Sequence, residues 1–224
     1  MILAAGRGER MRPLTEHTPK PLLVAGGKAL IAWHLHALAA AGFARVVINH
    51  AYLGAQIEAY LGTGAAFGVE IIYSPEVQAL EAAGGIARAL PLLGRMPFLV
   101  VNGDIWTDYD FVQMRTAGLM SGRLANLVLV DNPAHHPNGD FVLSGQEVSS
   151  ATASRLTFSG IGCYHPDLFA AVAENQPTPL APLLRHAMQQ GQVSGEHYTG
   201  LWFDIGTPKR LIELDEYLRI EHGC

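Results

Sequence analysis

The chain has 224 residues, is 49% hydrophobic and carries a formal net charge of -5, with an isoelectric point near 6.0. That length suffices for one α/β domain with a sizeable core, while the acidic balance argues against nucleic acid or an anionic membrane surface as the main partner. Its two cysteines, Cys163 inside an apolar run and Cys224 at the last position, offer neither a disulfide framework nor a zinc site. Lacking a secretory leader pattern and any apolar run near the roughly 18 residues of a spanning helix, the chain is expected to be cytoplasmic.

Short β-type runs alternate with helical patterns through the first half: "MILA", "ALIAWHLHALAAAG", "RVVINH", "LGAQIEAYLG", "VEIIYS", "GGIARALPLLG" and "FLVVNGD". The β-type runs are nearly all apolar, as strands buried on both faces are, and the helices are expected to end on Gly42, Gly62 and Gly94. This is βαβ architecture. From about Ala125 the rhythm changes to "ANLVLVD", "DFVLSG" and "RLTFSGIGCYH", which predicts antiparallel strands in a mixed sheet. Helices are expected near "PDLFAAVAE" and "LAPLLRHAMQQG", then a strand near "GLWFD" and a last amphipathic helix, "PKRLIELDEYLRI". No internal repeat or linker is visible, so residues 1–224 are read as a single domain. The first strand is short, with only Met1 to Leu3 before the glycine turn.

Five of the fifteen basic side chains, Arg7, Arg10, Arg12, Lys20 and Lys28, fall within the first twenty-eight residues of a net acidic chain. The small residues Ala4-Ala5-Gly6-Arg7-Gly8 directly follow a buried strand. They let the backbone approach a ligand closely and turn several N–H groups towards one point, a cradle for phosphate oxygens. A dinucleotide loop fits poorly, because Met11 replaces the third small residue and Pro13 interrupts the helix. A P-loop fails for want of G-K-[S/T]. Prolines on both sides of Lys20 are expected to hold its backbone extended and present its ammonium in one place. Such a cluster suits a triphosphate that spreads negative charge in its transition state.

The stretch "LAAGRGERMRPLTEHTPKPLL" resembles the signature G-x-G-x-R-[ML]-x-P-x-T followed by P-K-P of the sugar-1-phosphate nucleotidyltransferases, the nucleoside-diphosphate-sugar pyrophosphorylases. The likeness continues through "VNGD" and "FDIGTP" and so covers essentially the whole chain. It implies a single-domain, Rossmann-like, three-layer α/β/α fold (GT-A-like) with a mixed, mostly parallel central sheet. The compact length, with "NGDIWTDYDF", "LVLVDNPAHHPNGDF", "FSGIGCYHPDLF" and "SGEHYTGLWFDIGT", is most similar to members that transfer a uridylyl group from UTP to N-acetylmuramic acid α-1-phosphate in cell-wall recycling. Glucose-, mannose- or heptose-1-phosphate as the acceptor, and a non-catalytic sensor of the same fold, stay open as alternatives.

Asp104 follows "FLVVNG" at the expected carboxyl end of a strand, and Asp204 ends "GLWFD". Mg²⁺ needs only one or two carboxylates, so these two make a sufficient site if the fold brings them together, as the resemblance implies. Asp108 and Asp110 read better as strand-end or capping residues. A sugar 1-phosphate has a second pKa near ~6 and is already an anion at neutral pH, so no general base is required. The expected reaction is in-line attack on the α-phosphorus, with the metal on Asp104 and Asp204 bridging the two phosphate groups. Arg10 neutralises the leaving pyrophosphate and Lys20 holds the incoming phosphate, which with Asp104 makes the catalytic set.

The resemblance assigns the nucleotide to Leu3, Ala4, Ala5, Gly6, Arg7, Gly8 and Lys20, and the base also to Glu81 and Gly85 in "LEAAGGIARAL", although Gly84-Gly85 must start a helix in either case. Ala82 stands where relatives usually carry threonine. On the sugar side Asn102 and Asp140 are candidate hydrogen-bonding groups, with Ser159 and Gly160 closing the pocket; a compact polar loop explains Asp140 equally well. The usual Glu-Lys pair is absent from "SSATASRL", so that part of the sugar-phosphate contact set is either missing or supplied by Arg155. His135 and His136 point in different directions and are read as loop residues.

Overall fold

A computed structural model describes residues 1–222; Cys224 lies outside the described residues. The elements in chain order are β1 (Ile2–Leu3), β2 (Val24–Ala25), β3 (Lys28–Ala29), α1 (Leu30–Ala40), β4 (Arg45–His50), α2 (Gly54–Leu61), β5 (Glu70–Pro75), α3 (Glu81–Leu93) and β6 (Phe98–Asn102). They continue with β7 (Ile105–Thr107), α4 (Phe111–Ala117), β8 (Ala125–Val130), β9 (Val142–Ser144), β10 (Glu147–Ser149), β11 (Thr157–Tyr164), α5 (Leu180–Gln189), β12 (Val193–Tyr198), β13 (Trp202–Asp204) and α6 (Pro208–His222). The fold is Rossmann-like α/β with a mixed sheet. The chain makes two compact units, one from residues 1–79, 102–111 and 202 onward, the other from 80–101 and 112–201. Among the described residues no helix is long and apolar enough to cross a membrane.

In the first unit β5, β4 and β1 lie side by side and parallel. Five of the six residues of β4, Val46 to His50, are buried; Val46, Val47 and Ile48 give the apolar run of a strand covered on both faces, while Asn49 and His50 are buried polar groups. The helices before Gly42, Gly62 and Gly94 do end there, each glycine taking a positive φ that other residues adopt at a cost. The closing helix α6 buries Leu211, Leu214 and Leu218 in its own unit, against a cluster that includes Met11, Trp106 and Ile205. That spacing is one helical face, and it settles which surface the amphipathic pattern serves.

In the second unit the order is β6-β11-β8-β12-β10-β9. Strand β11 is antiparallel to both β6 and β8, and β12 is parallel to β8. The expected change of rhythm after Ala125 is therefore real. Three expectations need correction or addition. "PDLFAAVAE" forms only a 3-10 turn, Pro166–Phe169, because Leu168 and Phe169 are its only fully buried side chains and the residues beyond offer little to bury. Strand β12 was not anticipated, since its sequence "VSGEHY" is polar; Gly195 is needed there, a Cβ standing 2.6 Å from Val148 Cγ2 and 2.8 Å from the Leu127 carbonyl oxygen. Strand β7, pairing antiparallel with β13, was likewise hidden in "IWT".

Candidate active site

The glycine turn is held from below. The Ala4 N–H donates to Asn49 Oδ1 at 3.0 Å, and Asn49 Nδ2 donates to Glu76 Oε1 at 2.7 Å. Asn49 and Glu76 are both buried, so the turn leaves β1 on a satisfied polar network rather than a flexible one. Gly8 is left-handed, and a Cβ on it would meet Thr15 Cγ2 at 3.0 Å and Lys20 Cβ at 3.2 Å. Thr15 Oγ1 closes the loop by donating to the Gly8 carbonyl at 2.8 Å.

A single 3-10 turn, Glu9–Met11, follows. Met11 is 1% exposed and packs in the α6 cluster, so Arg10 and Arg12 on either side are turned outward. The far half of the loop is tied down by Tyr52 Oη donating to the Glu16 carbonyl at 2.9 Å and Gln56 Nε2 donating to the His17 carbonyl at 3.0 Å. Arg7 lies 5.4 Å from the centre of the Tyr52 ring, a cation–π distance.

Lys20 is not extended as its flanking prolines suggest. Pro19 is extended, but Lys20 opens a 3-10 turn, Lys20–Leu22. The Leu22 N–H donates to the Pro19 carbonyl at 2.8 Å and the Leu23 N–H to the Lys20 carbonyl at 3.1 Å; these bonds outweigh the pre-proline preference. The expected outcome, one fixed ammonium, holds nonetheless. Lys20 is 8% exposed, its stem runs beneath Gly8, and Nζ donates to Asp104 Oδ2 at 2.7 Å.

Asp104 is delivered by the turn after β6, where the Gly103 N–H donates to the Leu3 carbonyl at 2.8 Å. A Cβ on Gly103 would stand 2.7 Å from that oxygen, so only glycine lets this turn pass so near the start of the glycine loop. Asp204 is opposite Ile105 in the β7–β13 ladder, and the Ile205 N–H donates to the Asp104 carbonyl at 2.9 Å. The two aspartates are thus brought to one cross-strand step. Buried Ile105, Trp106 and Ile205 anchor the segments that carry them. Asp204 Oδ2 accepts from Arg210 Nη1 at 2.5 Å. Two carboxylates fit Mg²⁺, whose remaining positions are filled by water and phosphate oxygens. Among the described residues no group of three or more His, Cys, Asp or Glu is assembled for a metal, a donor set that does not suit zinc.

Beneath this step lies His34 of α1, which sequence reading missed. Burial pushes its pKa down to about 4, against smaller opposing effects of a hydrogen bond with the Ile105 backbone and the charge of Asp104. The imidazole is therefore neutral in the folded protein at pH 7, while in the unfolded chain it takes a proton below the ordinary value of 6.5. Its contribution is fully present above pH 6.5 and is lost as pH falls towards 4, on the order of 3 kcal/mol across that window. Chemical denaturation at a series of pH values should show this decline, and His34→Leu should remove that part of it.

The remaining candidates lie in the second unit, apart from Asn102, which ends β6. Glu81 opens α3 at φ 57, a left-handed conformation that is strained for a non-glycine residue. Gly84 packs tightly, a Cβ meeting the Gln176 carbonyl oxygen at 2.5 Å; Gly85 is buried in the same helix. Asp140 accepts from the Phe158 N–H at 2.8 Å and pairs with His136 Nε2 at 3.1 Å. Ser159 is buried and donates to the Val128 carbonyl at 2.7 Å, and with Gly160 it forms the irregular step of β11 against β8. Arg155 Nε donates to the Ala151 carbonyl at 2.7 Å within its own loop. Cys163 is buried, its thiol pKa raised to about 11 mainly by that burial, so it is no nucleophile.

A basic glycine turn, a fixed lysine and paired aspartates on one unit suit the handling of phosphates at a metal. A family model described as "Nucleotidyl transferase" matches residues 1–220. The chain belongs to the nucleotidyl transferase family. N-acetylmuramate alpha-1-phosphate uridylyltransferase of Neisseria meningitidis serogroup B is 56% identical over 219 residues, covering 95% of each chain. The protein of the same description from Caulobacter vibrioides is 34% identical over 223 residues, covering 93% of this chain and 92% of that one. A solved apo UDP-glucose pyrophosphorylase matches with a TM-score of 0.78 at 18% identity, over 99% of this chain and 98% of that one, a likeness of fold alone. The stretches that carry the sequence resemblance contain the loop, Lys20 and both aspartates; Asn49, Glu76, His34 and Arg210 lie outside those stretches and emerge only from their contacts.

Proposed function

We propose that this nucleotidyl transferase moves the uridylyl group of UTP to N-acetylmuramic acid α-1-phosphate, giving UDP-N-acetylmuramic acid and pyrophosphate, a step suited to cell-wall recycling. The observation that carries the substrate assignment is the 56% identity over 95% of both chains to a protein of that description. The assignment of 1–224 as one catalytic domain is supported by a single family model that runs through residues 1–220.

The acceptor phosphate needs no base, since its second pKa near ~6 leaves it an anion at pH 7. Lys20, fixed by its buried stem, holds that phosphate against the α-phosphate and lowers the repulsion between the two anions. Arg10, turned outward beside Met11, takes the charge that grows on the departing pyrophosphate. Asp104 and Asp204 would hold Mg²⁺, which when bound supplies further neutralisation of phosphate charge. The Leu3–Gly8 turn, with Arg7 at its rim, is the proposed nucleotide cradle. Glu81 and Gly85 are proposed for the base, and Asn102, Asp140, Ser159 and Gly160 for the sugar.

A Cβ on Gly6 would meet no protein atom within 4 Å, so the protein's own packing does not demand glycine there. Gly6→Ala is therefore expected to leave the thermal midpoint unchanged while raising the KM for UTP about tenfold, through lost close approach of the nucleotide. Steady-state kinetics beside a melting curve checks both halves. The substrate assignment itself is tested by kcat/KM for N-acetylmuramic acid, glucose, N-acetylglucosamine and mannose 1-phosphates with UTP. A clear preference for the first supports it, and a preference for another replaces the sugar while keeping the reaction.

A further inference from the structure

Arg210 lies two residues beyond the "FDIGTP" stretch and sits in the same cluster. Its side chain is only 15% exposed, and Nη1 lies 2.5 Å from Asp204 Oδ2. Its Nη2 lies over the backbone of Gly206, where a Cβ would stand 2.2 Å from Arg210 Nη2 and 3.2 Å from Arg10 Nη2. Two guanidinium groups, one from the glycine loop and one from α6, thus meet across a single glycine. Lys20, Arg10 and Arg210 against Asp104 and Asp204 leave these five groups with one positive charge in excess. Adjacent guanidiniums repel each other, and an anion with several oxygens placed against both removes that repulsion.

We propose that Arg210 is a phosphate-binding residue, forming with Arg10 a two-arginine clamp for the terminal phosphates of the nucleotide, which leave as pyrophosphate. The identity of those phosphates rests on the proposed reaction; the anion site rests on the two guanidiniums alone. Gly206 is part of the design, because the three atoms nearest to a side chain there are the ends of Arg210 and Arg10, which it would push away.

The test is binding of inorganic pyrophosphate to the full chain by titration calorimetry. Wild type is compared with Arg210→Gln, Arg210→Lys, Gly206→Ala and, as a control for lost surface charge, Arg45→Gln. The clamp predicts at least about a tenfold weaker Kd for Arg210→Gln, corresponding to one charge-assisted hydrogen bond, with Arg210→Lys intermediate and Arg45→Gln unchanged. Gly206→Ala, which keeps every charge, should also weaken binding several-fold, and it carries the test if Arg210→Gln does not fold. Wild-type affinity in folded Arg210→Gln, or in Gly206→Ala if Arg210→Gln does not fold, would overturn the clamp and leave Arg210 as a brace for Asp204. So would the absence of pyrophosphate binding by the wild type. Pyrophosphate binding that depends on Arg210 in a chain that transfers no uridylyl group would sustain the clamp and overturn the proposed reaction instead.

Discussion

Lys20→Met is expected to lower kcat about a thousandfold with little change in stability. The substitution keeps the stem that runs under Gly8 and deletes only the ammonium. Asp104, 44% exposed at its side chain, stays in contact with water when its partner is gone, so the loss of the pair destabilises by less than about 1 kcal/mol. The signal is the split between the two readouts. A proportional fall in melting temperature and turnover would make Lys20 a structural residue, and an unchanged kcat would remove it from the mechanism.

Asp104→Asn is the second large effect. The amide preserves shape but surrenders the charge that would hold the metal and that pairs with Lys20 at 2.7 Å. Turnover should fall by about a thousandfold or more, and the Mg²⁺ concentration for half-maximal rate should rise, because a hard cation loses a charged oxygen donor. Folding should survive, since Ile105 and Trp106 bury the neighbouring backbone whichever residue precedes them. A magnesium titration of the residual activity separates a lost metal ligand from a lost contact to substrate.

Much of this was legible in the chain because the chemistry and the anchors alternate. In "GERMRPLT" Arg10 is the residue proposed to act on phosphate, while buried Met11 supplies the apolar peg that turns its neighbours outward. In "NGDIW" and "FDIG" the aspartates stand beside buried Ile105 and Ile205, and the apolar residue marks the strand end on which the carboxylate is displayed. The buried parallel strand β4 announced itself differently, by consecutive apolar residues, Val46 to Ile48, that suit a strand covered on both faces.

The parts that were not legible depend on partners distant in sequence. Strand β12, "VSGEHY", is mostly polar and is broken by the glycine that its close neighbours require, so it shows no apolar period of two. Asn49 and Glu76 look like ordinary polar residues until the fold sets the Ala4 N–H 3.0 Å from Asn49 Oδ1. His34 lies in an apolar helix where nothing nearby in sequence reveals Ile105 beside it. Lys20 illustrates the opposite failure: the local rule for a pre-proline residue was overridden by two backbone hydrogen bonds, although the outcome for its ammonium was the same.

The central claim is a displacement at the α-phosphorus of UTP, and the most direct measurement follows the label. With N-acetylmuramic acid α-1-phosphate and Mg²⁺ present, label from [α-³²P]UTP should enter the sugar nucleotide, and label from [γ-³²P]UTP should appear in pyrophosphate alone. Transfer of the γ-label to the sugar, or its release as orthophosphate without sugar nucleotide, would contradict the account.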